Sequence, residues 1–177
     1  MKRFLIGFAL GFLTLPLGGF LYLKYGNPPV ATADSPFPFE KRIVDVPLSA
    51  RIDREMPKSV PISANDATYT AGATTYQAQC AGCHGLPDHP SQFSKSLFPH
   101  APQLFSEHGG VVGVSDDEPG ETYWKVKNGI RLSGMPSFKD SLSDSEMWQV
   151  TLLLAHADKL PSGIHQLLKP VANGGGK

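Results

Sequence analysis

Both cysteines of this chain fall in one pentapeptide, Cys80-Ala81-Gly82-Cys83-His84. Two thiols about one helical turn apart, followed at once by an imidazole, define a narrow chemistry. Each thiol can add to a vinyl group of one porphyrin while the next residue sets an imidazole under the iron, so the spacing reads as a covalent c-type haem site. His84 is then the proximal ligand. Three other readings compete: a thioredoxin-like redox pair, half of a zinc site, and a simple disulfide. A redox pair belongs after a strand in a βαβ pattern, and a zinc site needs a second ligand pair, neither of which the sequence offers.

Haem iron has a second axial position. Of the four methionines, Met1 and Met56 precede the motif, and Met147 lies beside Trp148 in a helical pattern, where it reads as core. Met135 sits in a Gly134-Met135-Pro136 turn whose backbone can present a side chain to the iron. Its thioether would favour the ferrous state and raise the reduction potential. The plain alternative is a loop methionine that fills a gap. His89, His100, His108, His156 and His165 are the rival ligands for a bis-His site, and each also reads as an ordinary surface or packing histidine. A six-coordinate haem has no open position for a substrate, so its chemistry is one electron in and one out. The expected partners are redox proteins, with no small-molecule substrate.

These residues need elements to hold them. Gly72, Tyr76 and Cys80 recur at i, i+4 and i+8, which predicts a helix entering the haem motif with one face open to close packing at Gly72. Ser143-Asp-Ser-Glu146 is a capping box, and apolar residues at Met147, Val150, Leu153 and Leu154 predict a last helix running to Leu160, before Pro161. A third helix is predicted over Glu121 to Asn128, with Gly129 in the C′ position. Tyr123, Trp124, Val126 and Ile130 either wall the haem or pack in the core. Arg131 either pairs with a haem propionate or stays an exposed cation.

The flanking segments carry different signals. Phe4 to Leu23 is twenty residues without a charge, enough to cross a bilayer core of roughly 30 Å. Lys2 and Arg3 precede it, so the start should stay cytoplasmic and the rest should be exported. The alternative is a cleaved signal peptide, with Ala31-Thr32-Ala33 as a small-residue cleavage site. We divide the chain into an anchor at 1–23, a Pro-rich tether at 24–64, a haem domain at 65–162 and a C-terminal tail at 163–177, of which Ala172 to Lys177 is expected to be mobile. Within the tether, Leu48, Ile52 and Met56 recur at i, i+4 and i+8 between Pro47 and Pro57, which predicts a short helix that docks on the domain. Sixteen basic and sixteen acidic side chains give no net charge, which argues against binding nucleic acid through a broad basic surface.

The stretch Tyr76-Gln-Ala-Gln-Cys80-Ala-Gly-Cys83-His84-Gly85, then Ala101-Pro102-Gln-Leu104, then Asn128-Gly129-Ile130-Arg131-Leu-Ser-Gly134-Met135-Pro136-Ser-Phe138 resembles class I monohaem cytochrome c. More narrowly, it is similar to membrane-anchored bacterial cytochromes c, including the domains of cytochrome cbb3 oxidase subunits. The resemblance implies an all-α fold wrapped around one covalent haem c and preceded by a single N-terminal transmembrane helix. It also implies His84 and Met135 as the iron ligands, and a crossing of first and last helices in which Gly72 and Tyr76 meet Trp148, Val150 and Leu153. Pro102 matches the proline whose carbonyl accepts from the proximal histidine; Pro99 is its rival. The implied role is an electron carrier of a respiratory chain rather than an enzyme, held on the bacterial inner membrane with its haem on the periplasmic side. A fixed subunit of a membrane oxidase or dehydrogenase complex is the alternative, and a haem peroxidase or gas sensor with a labile Met135 is a third.

Overall fold

The computed structural model describes residues 1–170; the segment Ala172 to Lys177 read above as a tail lies outside them. Residues 1–42 and 43–170 are two separate compact units.

The first unit is dominated by α1 (Lys2–Tyr25), 24 residues with Pro16 inside it. No acidic residue occurs in the helix, and by length and composition it can cross a membrane. Beyond it, the Asp34 carboxylate accepts from the amides of Val30 and Ala31 at 2.8 and 2.9 Å. Those two bonds hold its pKa below the usual range.

The second unit is a helical shell. α2 (Glu40–Glu55) leads into it and is longer than the segment between Pro47 and Pro57 that the apolar stripe outlined. Its start is fixed locally, since the Phe37 amide donates to the Glu40 carboxylate at 2.7 Å. Pro47 is absorbed inside the helix at the loss of one backbone donor. α3 (Asp66–Gln79) begins at Asn65, whose side chain accepts from the Thr68 amide at 3.0 Å. The single turn α4 (Ala81–His84) follows at once. After it the chain forms a long loop with a 3₁₀ turn at Phe93–Ser96 and a two-stranded antiparallel ribbon, β1 (Glu107–His108) with β2 (Val111–Val112). α5 (Pro119–Asn128) and α6 (Asp144–Ala155) complete the cage, and α7 (Ser162–Leu167) closes against α3.

The crossing of α3 and α6 organises the core. A side chain at Gly72 would collide with the backbone carbonyl of Gln149 and come within 3.2 Å of Leu153 Cβ, so only glycine lets the two helices approach this closely. Tyr76, Val150 and Leu153 are fully buried in one cluster. Trp148 spends its ring face on Tyr123, stacked at 4.1 Å, which ties α6 to α5. The capping box of α6 is made in both directions: the Ser143 amide donates to Glu146 at 2.8 Å, and the Glu146 amide donates to the Ser143 hydroxyl at 3.3 Å.

Two boundaries differ from the sequence reading. α6 ends at Ala155, not Leu160, because His156 leaves helical geometry and its ring Nδ1 lies 3.0 Å from the Leu152 carbonyl. The segment from 163 onward, read as tail, begins with an ordered helix. Ile164 and Leu168 of that segment are buried in the main core, and Gln77 donates to the Leu167 carbonyl at 2.6 Å. Six residues give too short a periodic pattern to stand out from a tail.

Candidate functional site

Cys80 ends α3 and starts α4, so the two thiols and the imidazole lie on a tight turn in which the His84 amide donates to the Cys80 carbonyl at 2.9 Å. The two sulfur atoms are not joined to each other. Burial, with the neighbouring Cys83 adding to it, pushes the Cys80 thiol up to about 12. An acidified attacking thiol is the mark of a redox pair, and burial does the opposite to Cys80.

The segment 101–104 is clipped onto this turn at three points. His84 Nδ1 lies 2.8 Å from the Pro102 carbonyl, the Leu104 amide donates to the His84 carbonyl at 3.3 Å, and Gln103 Nε2 donates to the Cys83 carbonyl at 3.3 Å. A carbonyl only accepts, so Nδ1 carries the proton and the Nε2 lone pair is left free for a metal. Burial pulls the His84 pKa below the ordinary imidazole range, and the bond to Pro102 offsets part of that. A neutral imidazole is the form that binds metal. Pro99 makes no such bond to His84, although it lines the same cavity.

A second loop brings Met135. α5 ends at Gly129, and the chain turns back so that the Ile130 amide donates to the Met135 carbonyl at 3.2 Å and the Phe138 amide to the Val126 carbonyl at 3.1 Å. The Ser133 hydroxyl donates to Ile130 at 2.7 Å and accepts from the Met135 amide at 3.2 Å, which fixes the turn from inside.

Cys80, Cys83, His84, Pro102, Ile130 and Met135 all line one cavity of about 280 Å³, at the lower end of ligand-sized cavities. Its walls include Val126, Phe138, Val150 and Leu154. The residues fit a haem: the walls are apolar, two thiols and a lone-pair imidazole converge with a thioether, and the imidazole is already held in the metal-binding tautomer. Met147 is core and Met56 packs under α2, so Met135 alone among the methionines lines the cavity. His100 also lines it, with its ring Nδ1 3.3 Å from the Ser94 carbonyl. It belongs to the same segment that serves His84, whereas Met135 arrives on another.

Three residues named from the sequence are not brought to the cavity. Tyr123 is buried in the main core, stacked on Trp148 and donating to Asp144 at 2.7 Å. Trp124 packs with Ile52 and Met56 under α2. Arg131 is exposed in the turn before Met135. All three follow or lie on α5, and the helix turns only its Thr122, Lys125 and Val126 side to the cavity. Conversely, Gln103 escaped the sequence reading. Besides Cys83, its amide nitrogen donates to the Ala101 carbonyl at 3.2 Å, and its oxygen accepts from the Ser91 amide at 2.6 Å. These bonds reach 20 residues along the chain, beyond any local pattern.

Residues 67–153, close to half of the chain, match the profile of the cbb3-type cytochrome c oxidase subunit III family. They are a cytochrome c domain. The all-α class I fold and the single apolar N-terminal helix agree with that assignment. Among solved structures, the domain is similar to the reducing HAO-like protein complex of Kuenenia stuttgartiensis, at 22% identity and a TM-score of 0.43, over 56% of this chain and 47% of that one. The chain thus spans about half the length of that neighbour. No curated protein matches. A cytochrome c domain carries haem c and works in electron transfer with redox partner proteins.

Proposed function

We propose that the chain is a membrane-tethered one-electron carrier of a respiratory chain. Cys80 and Cys83 would hold a single haem c through thioether bonds, with His84 and Met135 as the residues that bind its iron. The observation that carries this reading is the convergence of those four side chains on one apolar cavity, with His84 Nδ1 bound to Pro102. When bound, haem c supplies a reversible Fe(II)/Fe(III) couple. The chain's own residues do the rest. The clip at 101–104 holds the imidazole in one tautomer, the 129–138 turn holds Met135, and the apolar walls exclude water. With His84 and Met135 both on the iron, no position would be left for a substrate, which is the role of a carrier rather than an enzyme. α1 anchors it in the inner membrane of a bacterium, with the domain on the periplasmic side, where c-type haem is attached.

A fixed place in a membrane oxidase is the second reading, favoured by the match to an oxidase subunit. Co-purification of further chains after detergent extraction separates the two. The covalent site itself is tested on the denatured chain: wild type should keep its haem through denaturing electrophoresis, and the Cys80→Ala/Cys83→Ala variant should lose it. Loss of haem from the denatured wild type would overturn the covalent reading.

A further inference from the structure

The family profile begins at residue 67, yet the cavity has a wall that precedes it. Asp45 and Leu48, both on α2, line the same space as Cys80, Cys83, His84 and Met135. We propose that α2 is a built-in wall of the haem site, with Leu48 shielding the haem from water and the Asp45 carboxylate biasing its redox equilibrium. This rests on the haem reading above and extends the binding site beyond the matched domain.

The placement of α2 is over-determined. Leu48, Ile52 and Met56 share one face of the helix, and Ile52 and Met56 are buried against Trp124 of α5. Trp124 Nε1 donates to the Glu55 carboxylate at 3.0 Å, and the Arg51 guanidinium lies over the same indole at 5.8 Å. Arg51 in turn donates to Glu55 at 2.8 Å. Just beyond the helix, a side chain at Gly120 would collide with the Pro57 carbonyl, so the strand of chain leaving α2 lies directly on the start of α5. Four residues of one stripe therefore divide their work: Ile52 and Met56 fasten the helix, and Leu48 with Asp45, one turn further on, reach the cavity.

Oxidation leaves the iron with one more positive charge. Water at the haem stabilises the ferric form, so an apolar cover favours the ferrous one; a carboxylate nearby favours the ferric one. The two residues thus push in opposite directions. The test is a spectroelectrochemical titration of the full-length protein in detergent, comparing wild type with Leu48→Ala, Asp45→Asn and Val46→Ala. Val46 lies on the same helix but is 68% exposed. At a fixed ambient potential near the wild-type midpoint, the ferrous-to-ferric ratio should fall about threefold or more in Leu48→Ala and rise in Asp45→Asn, with Val46→Ala unchanged. Amide hydrogen exchange over residues 43–56 should stay slow in Asp45→Asn, showing that α2 remains docked. Asp45 is exposed and Asn has its shape, so this variant folds and decides alone: a wild-type midpoint in Asp45→Asn overturns the proposal. Absence of haem from the wild type would overturn the functional reading instead, and the two failures are therefore distinct.

Discussion

The chemistry of the site depends on how firmly His84 is held, and Gln103 is the residue that holds its acceptor. Its side chain joins Cys83, Ala101 and Ser91, so the Pro102 carbonyl cannot drift from His84 Nδ1. Gln103→Ala should leave these groups without a partner and cost about 1–3 kcal/mol, read in denaturant titrations. It should also loosen the bond to Pro102, make the imidazole a weaker donor and raise the midpoint potential, a shift that a packing defect alone would not produce. A wild-type midpoint potential in Gln103→Ala, with stability lost, would argue against this role. The residues that line the cavity together had local signals: Cys80, Cys83 and His84 their spacing, Met135 its Gly-Met-Pro turn. Gln103 had none, since its partners lie up to 20 residues away. For Tyr123 and Trp124 the choice between haem wall and core was open in the sequence, and packing decides for the core. Proximity to a motif in sequence does not say which side of a helix faces the cavity.

The elements are set by a few contacts. The α3/α6 crossing is as close as it is because position 72 lacks a side chain, and the atom in the way is backbone carbonyl, which cannot move aside. Gly72→Ala should therefore cost about 1–3 kcal/mol and push the helices apart, seen as faster amide exchange across both. At the other end of α6, Ser143→Ala removes the cap and should cost about 1 kcal/mol at neutral pH. That cost depends on pH in a defined direction. Hydrogen bonds from the Ser143 hydroxyl and amide hold the Glu146 pKa below its ordinary 4.5. The folded state then binds fewer protons than the unfolded one, so this contribution is complete above the ordinary carboxylate range and fades as pH falls through the lowered folded value. The gap between wild type and Ser143→Ala should narrow on acidification below about pH 4.5, as thermal melts at stepped pH would show. α6 announced itself through its capping box, and α3 through its period. Its early end at His156, and the whole of α7, rest on burial of Ile164 and Leu168 in a core assembled from distant segments, which no local pattern encodes.

At the scale of the molecule, the chain joins an apolar helix, a covering helix and a cytochrome c domain. If α1 is a true anchor, the full chain should sediment with membranes, resist alkaline carbonate and high salt, and come out with detergent; release by carbonate would mean a peripheral association or a cleaved N-terminus. The division of labour places all redox-relevant side chains in residues 43–170, so their behaviour should not depend on residues 1–25. In the proposed carrier, closure of the iron by His84 and Met135 decides everything else. It is tested most directly by the optical spectrum of the detergent-extracted protein, oxidised and reduced, for wild type and Met135→Ala. Oxidised wild type should show a weak methionine-to-iron band near the red end, lost in the variant, and only the reduced variant should bind carbon monoxide. Wild type that lacks the band and binds carbon monoxide when reduced at neutral pH would contradict it, and would make the iron an open site.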